Sequence, residues 1–208
     1  MRKLFNTDNP VMRFLGKIAD LMLLSILWFV CCLPVVTIGV STTALYYVAL
    51  RIPGEDYSVV KDFFRSFKQN FVQGLVAGVL AILMIVSVLL EGYILLRTGF
   101  GREKWAWILF AVLTAGCLGW TSWVFPILAK FECTWSQLLR TPLMFSILHF
   151  FTGVIIVALN FLPFVAVIAW PQMLLNLLPV AIVFAPSGIA LLNGLVLSKV
   201  FSKYENKT

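Results

Sequence analysis

Residues 31–47 read CCLPVVTIGVSTTALYY, and this stretch decides the fold because it interrupts an apolar run that begins at Ile18 and ends at Leu50. Pro34 and Gly39 both disfavour a continuing helix. The hydrocarbon core of a membrane offers a broken backbone no hydrogen bonds, so nearby protein groups or water must supply them. The hydroxyl residues that follow the proline are suited to that repair.

The composition of the 208-residue chain is that of a membrane protein. Apolar residues make up 61 % of the chain, charged residues 12 %, and the mean hydropathy is +0.98, whereas soluble domains are about 45–50 % apolar and about 25 % charged. The net charge of +7 comes from basic residues between apolar runs, where they face anionic headgroups. We therefore expect no nucleic-acid partner. The cysteines show no metal-ligand spacing, and we expect no cofactor.

The apolar runs predict an all-α polytopic membrane protein, a helical bundle with a single domain over residues 1–208. Its first element is a proline-broken hairpin with short arms at residues 18–33 and 39–50. Four further runs are each long enough to cross the bilayer as a helix. These predicted transmembrane helices cover residues 71–96, 105–129, 143–170 and 173–198.

The distribution of Lys and Arg favours the hairpin over one kinked crossing by residues 18–50. A single crossing divides the basic residues almost evenly between the two sides of the membrane. A segment that enters and returns places 13 of the 16 basic residues on one side, which the positive-inside rule identifies as the cytoplasm. Both termini are then cytoplasmic. Two short spans and a re-entrant pair remain as alternatives for the hairpin.

The hairpin tip is the first candidate site. Broken helices form substrate sites in some transporters, so its hydroxyl side chains could line a small polar cavity. The alternative is that they only satisfy backbone groups freed by the break. The candidate hinge and cavity residues are Pro34, Thr37, Gly39, Ser41, Thr42, Thr43, Tyr46 and Tyr47.

Polar residues inside the predicted spans form a second set of candidates. Glu91 lies near the end of its span, where it can reach the interface beside Arg97, and an intramembrane carboxylate is a functional hypothesis by default. His149 could be a proton-active group, although a packing role is the simpler interpretation. Asn160 and Asn193 favour interhelical hydrogen bonds.

Residues 57–70 are predicted to form an amphipathic interfacial helix. Apolar side chains recur at helical spacing on one face, and basic and polar side chains fill the other. The pattern predicts a face that lies on the inner leaflet or binds a partner protein. The candidate residues of this face are Phe63, Phe64, Phe67, Arg65 and Lys68.

Small residues four apart occur in several predicted spans. The pairs are Gly74/Gly78, Ala115/Gly119 and Ala190/Gly194. Such pairs let two helices approach closely. They are packing features first, and they leave a homo-oligomer open.

Three blocks, taken in order, carry a resemblance to a known family. They are LPVVTIG at 33–39 with TALYY at 43–47, DFFRSFKQN at 62–70, and FPILAKFE at 125–132. In these blocks the chain resembles the YesL-like family, small membrane proteins of unknown function from Gram-positive bacteria. The resemblance covers nearly the whole chain, although the family more often shows Asn where this chain has Ser25. It implies a plasma-membrane protein often encoded beside carbohydrate uptake systems, and it supplies no catalytic residues.

Three function classes remain at this point. The favoured one is a non-enzymatic accessory component of carbohydrate uptake, with the lipid bilayer and permease subunits as partners. The second is a small solute transporter or channel in its own right. The third, an intramembrane enzyme, is disfavoured because the sequence shows no carboxylate pair, metal set or nucleophile–base pair.

Overall fold

The computed structural model describes residues 10–54, 57–97, 104–131, 133–169 and 171–205, and within these ranges the chain is helical, without a strand. The predicted all-α fold class is confirmed. The helices are α1 Pro10–Cys32, α2 Ile38–Ala49, α3 Val59–Gln69, α4 Phe71–Arg97, α5 Lys104–Lys130, α6 Trp135–Leu148, α7 Phe150–Ala169 and α8 Pro171–Glu205.

Four stretches in the described part of the chain are long and apolar enough to cross a membrane. They are Met12–Cys32 within α1, the whole of α4 and α5, and Val183–Phe201 within α8. A fifth crossing results if the bent pair α6 and α7 is counted as one span. The bundle therefore has the lengths and hydropathy of a multi-pass membrane protein.

The break at Pro34 forms the tip of a hairpin between α1 and α2. Helix α1 ends at Cys32, and a short 3₁₀ helix, Val35–Thr37, leads into α2. Proline disfavours helix at the residue before it and has no N–H to donate. The Thr37 hydroxyl donates to the carbonyl oxygens of Cys31 and Pro34, each at 2.7 Å. The hydroxyl thus satisfies backbone acceptors at the break.

The two arms of the hairpin differ in length. Helix α1 has 23 residues and α2 has 12, which correspond to about 35 Å and about 18 Å at 1.5 Å per residue. Only α1 matches a hydrocarbon core of about 30 Å. The arms pack together, with Leu24 and Ala44 in one buried cluster, and Trp28 Nε1 donates to Thr42 Oγ1 at 3.3 Å.

Three glycines bring α2 and α4 into backbone contact. A Cβ atom placed on Gly39 would overlap the carbonyl oxygen of Gly74 and lie 2.7 Å from the Gly78 nitrogen. A Cβ on Gly78 would lie 2.9 Å from the Gly39 Cα atom. Real Cβ atoms do not approach this closely, so the crossing requires residues without side chains. The role of Gly39 here is close helix packing, since it lies inside α2 rather than at the break.

Helix α3 packs on the protein's own bundle. Phe63 is fully buried and shares a cluster with residues of α1 and α2, and Val59 joins the same cluster. The predicted amphipathic helix is therefore present, but only part of its apolar face is buried against the bundle. Phe63 faces the bundle because α3 packs on α2 and α1 at the open end of the hairpin, opposite the Pro34 tip, whereas Phe64 remains 48 % exposed.

The predicted span at residues 143–170 differs from the structure. Helix α6 begins earlier, at Trp135, because Thr134 and Gln137 form a capping box. Pro142 lies inside α6 rather than before it. The helix then stops at His149, whose φ of −119° and ψ of 47° leave the helical region, and the described part of α7 continues at a bend of 102°. The hydropathy of the sequence alone predicts neither the capping box nor the bend.

Helix α8 closes the bundle against the first hairpin. Ser25 of α1 is fully buried and its hydroxyl donates to Ser187 Oγ at 2.8 Å. Closer to the C-terminal end of α8, Leu197 and Phe201 pack with Trp123 of α5 in a buried cluster. Helices α1 and α8 are therefore neighbours.

Candidate functional site: a cavity among four helices

A cavity of about 600 Å³ lies among α2, α4, α5 and α7. Its walls are mainly aliphatic and aromatic, with a small number of hydroxyl and amide groups, as is typical of small-molecule pockets. The lining residues are Thr42, Tyr46, Met84, Ile85, Val88, Leu89, Thr114, Cys117, Leu118, Thr121, Ser122, Phe125, Val157 and Asn160.

A hydrogen-bond network joins α2, α7 and α8 at one end of this cavity. The side-chain amide of Asn193 donates to Tyr46 Oη at 3.0 Å and to Asn160 Oδ1 at 3.3 Å. Asn193 is fully buried, and its Oδ1 atom accepts no hydrogen bond from the residues that the structure describes. Tyr46 and Asn160 line the cavity, so the network supplies most of its polar character at that end.

The hydroxyls that line the cavity are largely engaged by their own helices. Thr42 Oγ1 donates to the Ile38 carbonyl at 2.7 Å. Thr121 donates to the Cys117 carbonyl at 2.8 Å, and Ser122 donates to the Leu118 carbonyl at 2.6 Å. Such back-bonding satisfies a hydroxyl in an apolar environment.

Thr114 differs from the other hydroxyl residues of the cavity. Its Oγ1 atom is buried and has no hydrogen-bond partner in the described part of the chain. A buried polar atom left unsatisfied costs free energy, and native structures contain few of them. The polar groups of the cavity are thus unequal in their capacity to bind a further molecule.

The hinge residues predicted from sequence are distributed over several environments. Of that set, Thr42 and Tyr46 reach the cavity, while Pro34 and Thr37 lie at the hairpin tip. The remaining members pack elsewhere. Gly39 lies against α4, and Ser41 lies beside the Cys32 thiol. The Thr43 hydroxyl donates to the Gly39 carbonyl, and the Tyr47 ring lies beneath the Arg51 guanidinium.

The predicted intramembrane polar residues fall into three places. Asn160 and Asn193 come together in the network described above. Glu91 lines a separate cavity of about 230 Å³ between α4 and α5, with Trp105 and Phe110 in the same wall. The ring of His149 lies at the break between α6 and α7, with its centroid 5.8 Å from that of Phe145.

A cluster of polar side chains fixes the open end of the hairpin, opposite the Pro34 tip. Arg51 Nη1 lies 3.3 Å from Asp62 Oδ1, and Asp62 Oδ2 accepts the backbone N–H of Ser58 at 3.0 Å. Tyr57 Oη donates to Asp20 Oδ2 at 2.6 Å. Burial and the neighbouring Asp20 carboxylate raise the pKa of Tyr57 to about 12. These bonds hold the segment before α3 against α1.

The proposed partner or lipid face of α3 keeps only part of its predicted membership. Phe63 is in the core, and Phe67 packs at the edge of the same cluster. Phe64, Arg65 and Lys68 are exposed. One aromatic ring with two basic side chains is an arrangement suited to an anionic membrane surface.

Several polar residues of this framework escaped the sequence reasoning. Asp20 carried a usable signal, a carboxylate within the first apolar run. Thr114, Thr121 and Ser122 carried none, because isolated hydroxyls are common in membrane helices and only helix packing shows which of them face a cavity. In the part of the chain that the structure describes, no group of three or more His, Cys, Asp or Glu side chains could hold a metal ion.

Fold and site together define a multi-pass helical membrane protein with a largely apolar intramembrane cavity. A family profile described as "Protein of unknown function, DUF624" matches residues 21–91. The match extends from α1 through the hairpin and α3 to Glu91 in α4. No curated protein and no solved structure matches the chain.

Proposed function

We propose that this protein is a non-enzymatic accessory component of a carbohydrate uptake system in the cell membrane, of the YesL-like kind. The observation that carries the accessory role is the chemistry of the cavity. A sugar requires many hydrogen-bond partners along its path, but the Thr42, Thr121 and Ser122 hydroxyls are bonded to backbone carbonyls. Such a cavity fits an apolar occupant better than a sugar. The link to carbohydrate uptake is supported by the sequence blocks around the hairpin, α3 and the end of α5.

Co-purification from native membranes tests this proposal. We expect permease subunits of a carbohydrate uptake system to be enriched about tenfold or more with the affinity-tagged full chain, relative to an equally expressed, unrelated multi-pass protein. Mass spectrometry of the eluted complexes gives the enrichment. Sugar flux into proteoliposomes that contain this chain alone would contradict the accessory role and favour a transporter.

We further propose that both termini and the segment before α3 are cytoplasmic, since 13 of 16 basic residues then lie on the inner side. A single cysteine at exposed Ser58, in a cysteine-free background, should resist a membrane-impermeant thiol reagent in intact cells. The same reagent should label a cysteine at Lys104, the exposed first residue of α5. Permeabilised cells should label both. Efficient labelling at Ser58 in intact cells would reverse this orientation.

A further inference from the structure

We propose that the cavity among α2, α4, α5 and α7 binds a single hydrocarbon chain that carries an uncharged hydrogen-bonding group and enters from the bilayer. The cavity volume of about 600 Å³ lies within the range of about 300–1,000 Å³ that is usual for ligand pockets. The inference depends on the cavity alone and stands whether or not the protein serves carbohydrate uptake.

The position of the cavity indicates where its occupant comes from. Ile85 and Leu89 line it and are 54 % and 67 % exposed, so the cavity is open along this edge of α4. Helix α4 is one of the apolar membrane-crossing helices, so this exposed edge faces hydrocarbon. A molecule that enters there comes from the lipid phase rather than from water.

The cavity extends along α5. The lining residues of α5 extend from Thr114 to Phe125, a distance of about 16 Å at 1.5 Å per residue. A single alkyl or prenyl chain is slender enough to enter.

The polar groups of the cavity define the rest of the ligand. Among the described residues, no charged side chain lines the cavity, and a charged group brought there would remain unpaired in an apolar environment. The Thr114 hydroxyl is buried and has no hydrogen-bond partner among the residues that the structure describes, and its methyl and hydroxyl positions exchange on rotation about χ1. Thr114 can therefore hydrogen-bond a ligand hydroxyl or ester, and Tyr46 and Asn160 offer a second polar position. A neutral single-chain lipid, such as a monoacylglycerol or a long-chain alcohol, has this chemistry.

Photocrosslinking tests the inference on the full chain in lipid nanodiscs. The probe is a monoacylglycerol with a diazirine in its acyl chain, and adducts are mapped by mass spectrometry. We expect adducts concentrated on the lining residues of α4 and α5. The matched fatty-acid probe, which carries a carboxylate, should give at least fivefold less adduct. Adducts spread evenly over the lipid-facing residues, or equal adducts from the fatty acid, would overturn the proposal.

Two variants separate binding from folding. Thr114→Val keeps the shape of the side chain and should lower adduct yield about fivefold, as expected for one lost hydrogen bond. Its thermal stability without probe should be unchanged or higher, because an unsatisfied hydroxyl is removed. Leu118→Trp fills the cavity and should lower adduct yield about tenfold, whereas Leu83→Trp, at an exposed position of α4 outside the cavity lining, should not. Unchanged adduct yield in folded Thr114→Val and Leu118→Trp proteins would overturn the site.

Discussion

Replacing Gly39 with alanine is expected to lower the stability of the bundle by about 1–3 kcal/mol, the usual cost of overpacking. The added methyl group would overlap the Gly74 carbonyl oxygen and lie 2.5 Å from the Gly78 Cα atom. Both contacts are to backbone, so no flexible side chain can move aside. Helices α2 and α4 must separate instead, and the thermal unfolding temperature of the purified protein in detergent should fall.

Gly116 provides the matched control for Gly39. It lies within α5 and has no atom within 4 Å of an added Cβ. Alanine is the better helix former by about 0.8–1.0 kcal/mol, so Gly116→Ala should leave stability unchanged or raise it slightly. The two identical substitutions are thus expected to act in opposite directions. An unchanged unfolding temperature for Gly39→Ala would show that α2 and α4 do not cross at these glycines.

The second large effect is expected at Phe63. Truncating a fully buried phenylalanine to alanine typically costs about 3–5 kcal/mol, and Phe63 has no exposed surface. Phe63→Ala should therefore detach α3 from the hairpin, lower the unfolding temperature and raise the rate at which added protease cleaves within α3. Rates of limited proteolysis and thermal unfolding in detergent give the result.

The neighbouring ring is the control for this prediction. Phe64 is 48 % exposed, so Phe64→Ala should change the free energy of unfolding by less than about 1 kcal/mol. Phe64→Ala should instead weaken the binding of the protein to anionic vesicles. Equal destabilisation by the two substitutions would contradict the packing of α3 on the bundle.

The sequence predicts the backbone of this fold well wherever a local signal is strong. Pro34 within an apolar run, followed by Thr37, is enough to place the hairpin tip, because both act on backbone groups within a few residues. The helical spacing of apolar side chains in α3 predicts an amphipathic helix. The same spacing fits packing on a membrane surface and packing on a protein core equally well. Only the position of α3 across the hairpin shows that Phe63 is buried and Phe64 is not.

The cavity is harder to predict because it arises from packing between distant helices. Thr42 and Tyr46 belong to a stretch that attracts attention in the sequence, and both reach the cavity. Their neighbours Thr37 and Thr43 look the same in sequence but are not among the lining residues that the structure describes. Asn160 and Asn193 are recognisable as polar residues within spans, but nothing local shows that they meet.

The contacts of α8 with α1 and α2 restrict when the bundle can assemble during synthesis. Ser25 and Tyr46 lie in the first two helices, whereas their partners Ser187 and Asn193 follow 162 and 147 residues later. Because a chain is made from its N-terminus, the hairpin is complete long before either partner exists. Its polar side chains must be accommodated by water, lipid or the insertion machinery during that interval. The native bundle can close only after α8 has been synthesised.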